Sequence, residues 1–149
     1  LYVIDYPSDW SLLVPGSHVV GFSPPGSQKN YAQWGVLVKD FAVGALQDFI
    51  KEMGSGFPDT RIEKRENIFI NGKSAWDVVV TNTENPEFYH EQILIEHFNK
   101  IYIITNGGIP DDRFQRFWMS MKFLKPLYAP NGEKIQPERN DTQDSPSNK

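Results

Sequence analysis

Cysteine is absent from the 149-residue sequence. That excludes thiol catalysis, thiolate zinc sites and disulfides, and leaves the redox compartment open. An excess of positive charge is also missing. Fifteen Lys and Arg face nineteen Asp and Glu, for a formal charge of −4. A nucleic-acid binder carries a basic patch or stripe, so nucleic acid is not an expected partner. The same balance offers no polybasic attraction to anionic lipid. Long hydrophobic runs are absent. Runs such as Gly35 to Val38 and Val78 to Val80 are strand-sized, far short of the roughly 18 residues of a membrane span. No signal-peptide pattern is present. Leu1 is not a natural start, and a strand begins at once, so a removed leader is expected. Catalytic motifs are missing too. There is no Gly-x-Ser-x-Gly elbow, no phosphate loop and no EF-hand. Gly54-Ser55-Gly56 reads as a helix stop.

What remains is an ordinary globular composition, with 39% hydrophobic and 23% charged residues. The length suits one domain that buries about two-thirds of its unfolded surface without disulfides or a structural metal. Aromatics at 13% suggest a β-rich core. Tyr2 to Tyr6 alternates and stops at Pro7; Ser11 to Val14 and His18 to Phe22 are short extended pieces closed by Pro-Gly signals. Ala32 to Phe41 is a longer strand with Trp34, Val36 and Val38 on one face. The period then changes. Val43, Leu46, Phe49, Ile50 and Met53 form the stripe of an amphipathic helix. Thr60 to Ile70 alternates again, with Ile62, Lys64, Glu66, Ile68 and Ile70 expected on one side. Asn71-Gly72 is a hairpin signal, because a type I′ turn needs positive φ at both central residues. Lys73 to Thr81 returns, and Phe88 to Phe98 turns at Asn99-Lys100 into Ile101 to Thr105. Asp111-Asp112 opens a last helix with Phe114, Phe117, Trp118 and Met121 as its stripe, extending toward Phe123. The order β-β-β-β-α-β-β-β-β-α, joined by hairpins, implies an α+β fold. Its expected form is an antiparallel β-sheet of about six to eight strands flanked by helices. The globular domain is expected over 1–125. A polar, flexible tail is expected over 126–149, since Glu138 to Lys149 is almost wholly polar.

Several of these segments resemble PsbP-like domains. They are Tyr6-Pro7-Ser8-Asp9-Trp10, Phe22-Ser23-Pro24-Pro25, Gly35 to Val38 and the helix around Leu46 to Met53. Ile70-Asn71-Gly72-Lys73-Ser74-Ala75-Trp76, Ile101 to Thr105 and the last helix continue the series, in order over residues 2 to about 125. The resemblance implies the PsbP/Mog fold, an α/β/α sandwich. It also implies an extrinsic, extracytoplasmic domain that is secreted or held at a membrane, often through a lipidated N-terminus. Photosynthetic members sit on the lumenal side of photosystem II and support its calcium and manganese cluster. The basic N-terminal extension of the plant proteins is absent from these 149 residues.

Chemistry-bearing residues are few. His90, Glu91, Glu96 and His97 share one strand. Parity sets His90 and Glu96 on one face, Glu91 and His97 on the other. Residues six apart on a strand lie roughly 20 Å apart, so a metal needs ligands from neighbouring strands or loops. Asp111 and Asp112, aided by Gly107-Gly108 carbonyls, are the other candidate ligands, for calcium or manganese. Calcium wants six to eight oxygens, and helix capping already claims these carboxylates. Asp77, set in an apolar strand, reads as a carboxylate with a cross-strand partner. Trp34, Trp76 and Trp118 read as core, and Trp10 as an exposed anchor, since aromatics dominate binding hot spots. Three loops, Ser23 to Tyr31, Asn82 to Tyr89 and Asn106 to Asp112, offer a contact surface through Pro24, Pro25, Tyr31, Pro86 and Tyr89. The expected function is therefore a non-catalytic, monomeric, peripheral domain that docks on a protein partner at a membrane. The alternatives are a small-ligand or metal-binding protein for calcium, manganese or zinc, and a Mog-like partner of a small GTPase.

Overall fold

The computed structural model describes residues 2–28, 31–40, 45–52 and 59–124. The tail expected over 126–149 lies outside these residues, as do Val43 and Met53. The elements run β1 (Tyr2–Val3), β2 (Ser11–Gly16), β3 (Val19–Ser23), β4 (Trp34–Asp40), α1 (Ala45–Glu52), β5 (Thr60–Ile70) and β6 (Lys73–Asn82). They continue as β7 (Tyr89–His97), β8 (Lys100–Gly107), α2 (Asp112–Met119) and β9 (Lys122–Phe123). Seven strands form one sheet in the order β2-β3-β4-β8-β7-β6-β5, and every pair is antiparallel. Two meanders, β2 to β4 and β5 to β8, therefore join where β4 lies beside β8.

Parity along the strands builds two cores. Trp34, Val36, Ile93, Ile95, Tyr102 and Ile104 point to one face and meet Phe114, Phe117 and Trp118 of α2. Full burial of a side chain such as Phe114 stabilises by roughly 1.5–3 kcal/mol. Leu37, Val78, Leu94, Ile101 and Ile103 point to the other face and meet Leu46, Phe49 and Ile50 of α1. Among the described residues, each face thus carries one helix of eight residues. A helix is about 10–12 Å across, whereas seven strands at about 4.8 Å spacing span nearly 30 Å. The sheet dominates, and its flanking by helices is partial rather than the full sandwich that was expected.

The β5 register overturns one expectation. Arg65 pairs with Asp77, but Ile68 pairs with Ala75, so a bulge lies between Arg65 and Ile68. One extra residue flips the alternation. Ile62 consequently joins the α1 core while Ile68 and Ile70 join the α2 core. The Asn71-Gly72 hairpin forms as read, with φ of 47° and 77°. The next hairpin turns one residue earlier than expected, on Phe98-Asn99, with His97 opposite Lys100. Phe123 leaves the helix stripe and lies in β9, which pairs with β1 through Tyr2 opposite Phe123. The two ends of the described domain therefore meet.

Candidate functional site

The sheet order brings the three long loops to one end. Gly107 N donates to Gln33 O at 2.8 Å, tying the β8 exit to the β4 entrance. Gly108 N donates to Tyr89 O at 3.0 Å, adding the β6–β7 loop. Gly108 has φ of 99°, and a Cβ there would lie 3.0 Å from the Tyr31 hydroxyl. Glycine is thus needed twice, for the backbone angle and for the close approach. Gln33 Nε2 donates to Asp111 Oδ2 at 3.2 Å, which links the β3–β4 loop to the start of α2. The β6–β7 loop is held internally: Asn82 Oδ1 accepts from the Glu84 and Asn85 N–H groups, both at 2.8 Å.

The contact residues inferred from the sequence fall on this end with different exposures. Tyr31, Pro25 and Pro86 are exposed, while Pro24 and Tyr89 are half-buried. The Tyr89 hydroxyl donates to Glu91 Oε2 at 2.6 Å, so its polar tip is engaged. Two apolar residues inside the expected contact loops, though not singled out there, stand out here: Phe88 and Ile109, the latter 64% exposed. Phe88 lies just after Pro86 and Ile109 just before Pro110, and no periodic pattern marks either. Trp10 overturns its expectation. It is only 6% exposed, its ring lies 4.2 Å from that of Trp34, and the Arg113 guanidinium sits 5.3 Å above it. The Pro7 carbonyl accepts from Trp10 N at 3.0 Å, and this turn folds the indole inward.

Three of the candidate metal ligands share a cleft and the fourth, His90, does not. Glu91, Asp111 and Asp112 line one cleft of about 400 Å³ with Asp77, Tyr89 and Trp118. His90 points to the opposite face beside Gly107, where a Cβ would lie 3.7 Å from His90 Nδ1. Burial lowers the His90 pKa below 6.5, which favours neutral imidazole. Asp111 is already committed. It caps α2 by accepting from Arg113 N at 3.0 Å, and it holds the Arg113 side chain through bonds of 3.0 and 2.9 Å. The Arg113 bond is the main reason its carboxyl sits below the usual range. Among the described residues, no group of three or more His, Asp or Glu is placed to hold one metal ion.

A second cleft, of about 420 Å³, lies between Asp5-Tyr6-Pro7 and α2, with Arg113 and Arg116 on its rim and Trp34 and Phe117 at its base. Asp5 N donates to Ser120 Oγ at 2.8 Å across it. His18, in the β2–β3 turn, stands apart from His90 and from His97, which lies at the opposite end of β7. Among the described residues, no helix is long and apolar enough to cross a membrane.

No protein-family model and no curated protein matches the sequence. The fold is similar to the solution structure of the cyanobacterial PsbP protein, CyanoP, from Synechocystis sp. PCC 6803. The TM-score is 0.55 at 15% identity, over 83% of this chain and 86% of that one. At that identity the likeness concerns the fold.

Proposed function

We propose that this chain is a PsbP-like accessory domain that docks on a protein partner at a membrane. The observation that carries the reading is the meeting of three long loops at one end of a PsbP-like sheet. Tyr31, Phe88 and Ile109 expose apolar surface there, surrounded by polar loop residues. Rigid scaffolds commonly present binding residues on such loops. The two Gly107 and Gly108 hydrogen bonds pre-order the surface, so little loop entropy is lost on contact. The protein is read as non-catalytic, and its extrinsic, extracytoplasmic placement follows from the family resemblance. What supports the non-catalytic reading is the scatter of His18, His90 and His97 over separate parts of the sheet.

The test is to tag the protein in its host, crosslink intact cells and identify what co-purifies from the membrane fraction. One stable complex is expected. A triple variant, Tyr31→Ser, Phe88→Ser and Ile109→Ser, should lose it while keeping its thermal midpoint. If the triple variant keeps every association, the loop end is not the docking surface.

A further inference from the structure

The opposite end of the sheet carries three tight hairpin turns; two of them use left-handed backbone, and one of these two is built at odds with folding. Phe98 has φ of 49°, in the left-handed region that bulky L residues rarely adopt. The equivalent position of the other hairpin is Asn71, followed by Gly72. Asn and Gly suit that backbone; Phe does not. Phe98 is also 69% exposed, more than any other large hydrophobic residue described. The left-handed backbone costs stability and the exposed ring returns almost none, and such outliers concentrate at functional positions. The ring has one close companion, His97, at 4.2 Å.

The surroundings identify the kind of surface it meets. Phe98 borders a shallow depression with Asn71, Lys73, His97, Phe123 and Leu124, and among the described residues no acid lines it. Lys73 Nζ lies 5.9 Å from the Phe123 ring centre. Lys122, in β9 beside that ring, is exposed. Lys100 is neutralised by Asp40. Phe69, 61% exposed, sits just before the Asn71-Gly72 turn. Phe98 and Leu124 thus border this depression from two separate chain segments, while Phe69, between Ile68 and Ile70 of the α2 core, turns to the other face of the sheet. A protein groove would have to match both tips in shape; a lipid interface accepts them without shape matching. Flanking lysines add attraction to anionic headgroups. The net charge of −4 conceals this local arrangement.

We propose that the Phe98 hairpin tip is a seat for an anionic membrane surface, with Phe98 entering the headgroup region and Lys73 and Lys122 facing lipid charges. The inference shares with the docking reading only the presence of a membrane, and its test needs no protein partner. The purified chain is sedimented with phosphatidylglycerol-containing vesicles and with pure phosphatidylcholine vesicles. Sedimentation with the anionic vesicles is expected, weakened by added salt. Phe98→Asn should reduce it about tenfold, because one aromatic side chain is withdrawn from the interface. The same variant should keep or raise the thermal midpoint, because Asn tolerates the left-handed backbone. Lys73→Glu with Lys122→Glu should abolish the preference for anionic vesicles. The proposal is overturned if the parent protein ignores both vesicle types, or if Phe98→Asn binds them equally well. It is also overturned if the charge-reversed variant keeps its anionic preference. Loss of a crosslinked protein partner in Phe98→Asn, with no vesicle binding by the parent, would reassign the tip to protein. Vesicle binding with no crosslinked complex would leave the seat standing and remove the docking reading instead.

Discussion

Trp10→Ala separates a core indole from a surface anchor. Trp10 packs on Trp34 at 4.2 Å, beneath the Arg113 guanidinium, and is only 6% exposed. Replacing a buried Trp by Ala typically costs about 3–5 kcal/mol, which includes the cavity left behind. The lost aromatic pair and cation–π contact are worth roughly 0.5–1.5 and 0.5–1 kcal/mol within that total. Trp10 lies on a connection between β1 and β2 that can partly collapse into the space, so the lower end, about 3 kcal/mol, is expected. For a domain near 150 residues that corresponds to a fall of about 6–12 °C in Tm. Urea unfolding followed by far-UV circular dichroism gives the free energy, and the partner-capture assay gives binding. A loss below about 1 kcal/mol, the size of an ordinary surface change, would refute the core placement. Full stability with lost partner capture would restore Trp10 as an exposed anchor.

Asp111→Ala removes the α2 cap and the hold on Arg113, and should cost about 1–2 kcal/mol by chemical denaturation. Asp111→Asn, which can still cap, should cost less. Stability should also fall as acid is added. Burial lowers the pKa of His90 from 6.5, and burial together with the Lys73 charge lowers that of His97. Both folded values lie below the unfolded one. Their contribution is fully present above the unfolded pKa and is lost as pH falls through the folded pKa. Tm should therefore be flat above about pH 6.5 and decline below it, and His90→Gln should remove part of the decline. The lowered Asp40 and Asp111 carboxyls act later, as pH falls through values below 3.8. Calcium, manganese or zinc should leave Tm unchanged, because Asp111 is tied to Arg113 and His90 faces away from Glu91. A concentration-dependent rise with any of them would restore the metal reading.

Local signals carried most of the fold. Asn71-Gly72 states its turn outright, and the stripe Phe114-Phe117-Trp118 states its helix, because both depend on neighbours in sequence. Where a residue acts against its local preference, local signals mislead. Phe98 occupies a position that Asn or Gly would announce, so local signals point to a turn one residue later. The β5 bulge is similar: Ile62, Ile68 and Ile70 keep an unbroken even spacing, and only the pairing with β6 shows that the face changes. Trp10 follows Pro7-Ser8-Asp9, a legible turn, but the direction of the indole depends on Trp34, far away in the chain. The β1–β9 pair spans almost the whole domain and leaves no local trace. The same holds for the candidate site. Each loop was legible as a loop, while their meeting depends on β4 lying beside β8.

That sheet order also fixes how two surfaces work together. The loop end and the hairpin end are separated by the length of the central strands. Strand β7 has nine residues, and at about 3.3 Å per residue it spans roughly 30 Å. Tyr89 stands at its loop end and His97 at its hairpin end. A strand in the middle of a seven-stranded sheet, bonded on both sides and packed on both faces, does not shorten or bend freely. If Phe98 enters the headgroups, the Ile109 surface is held at a set height of about 30 Å above them. A partner must then present its own contact at that height. Lengthening β7 and β8 by two matched residues each would raise the surface by about 7 Å and keep every side chain on its face. Such a variant should still bind anionic vesicles but capture its partner poorly. Equal capture would mean that the two ends act independently.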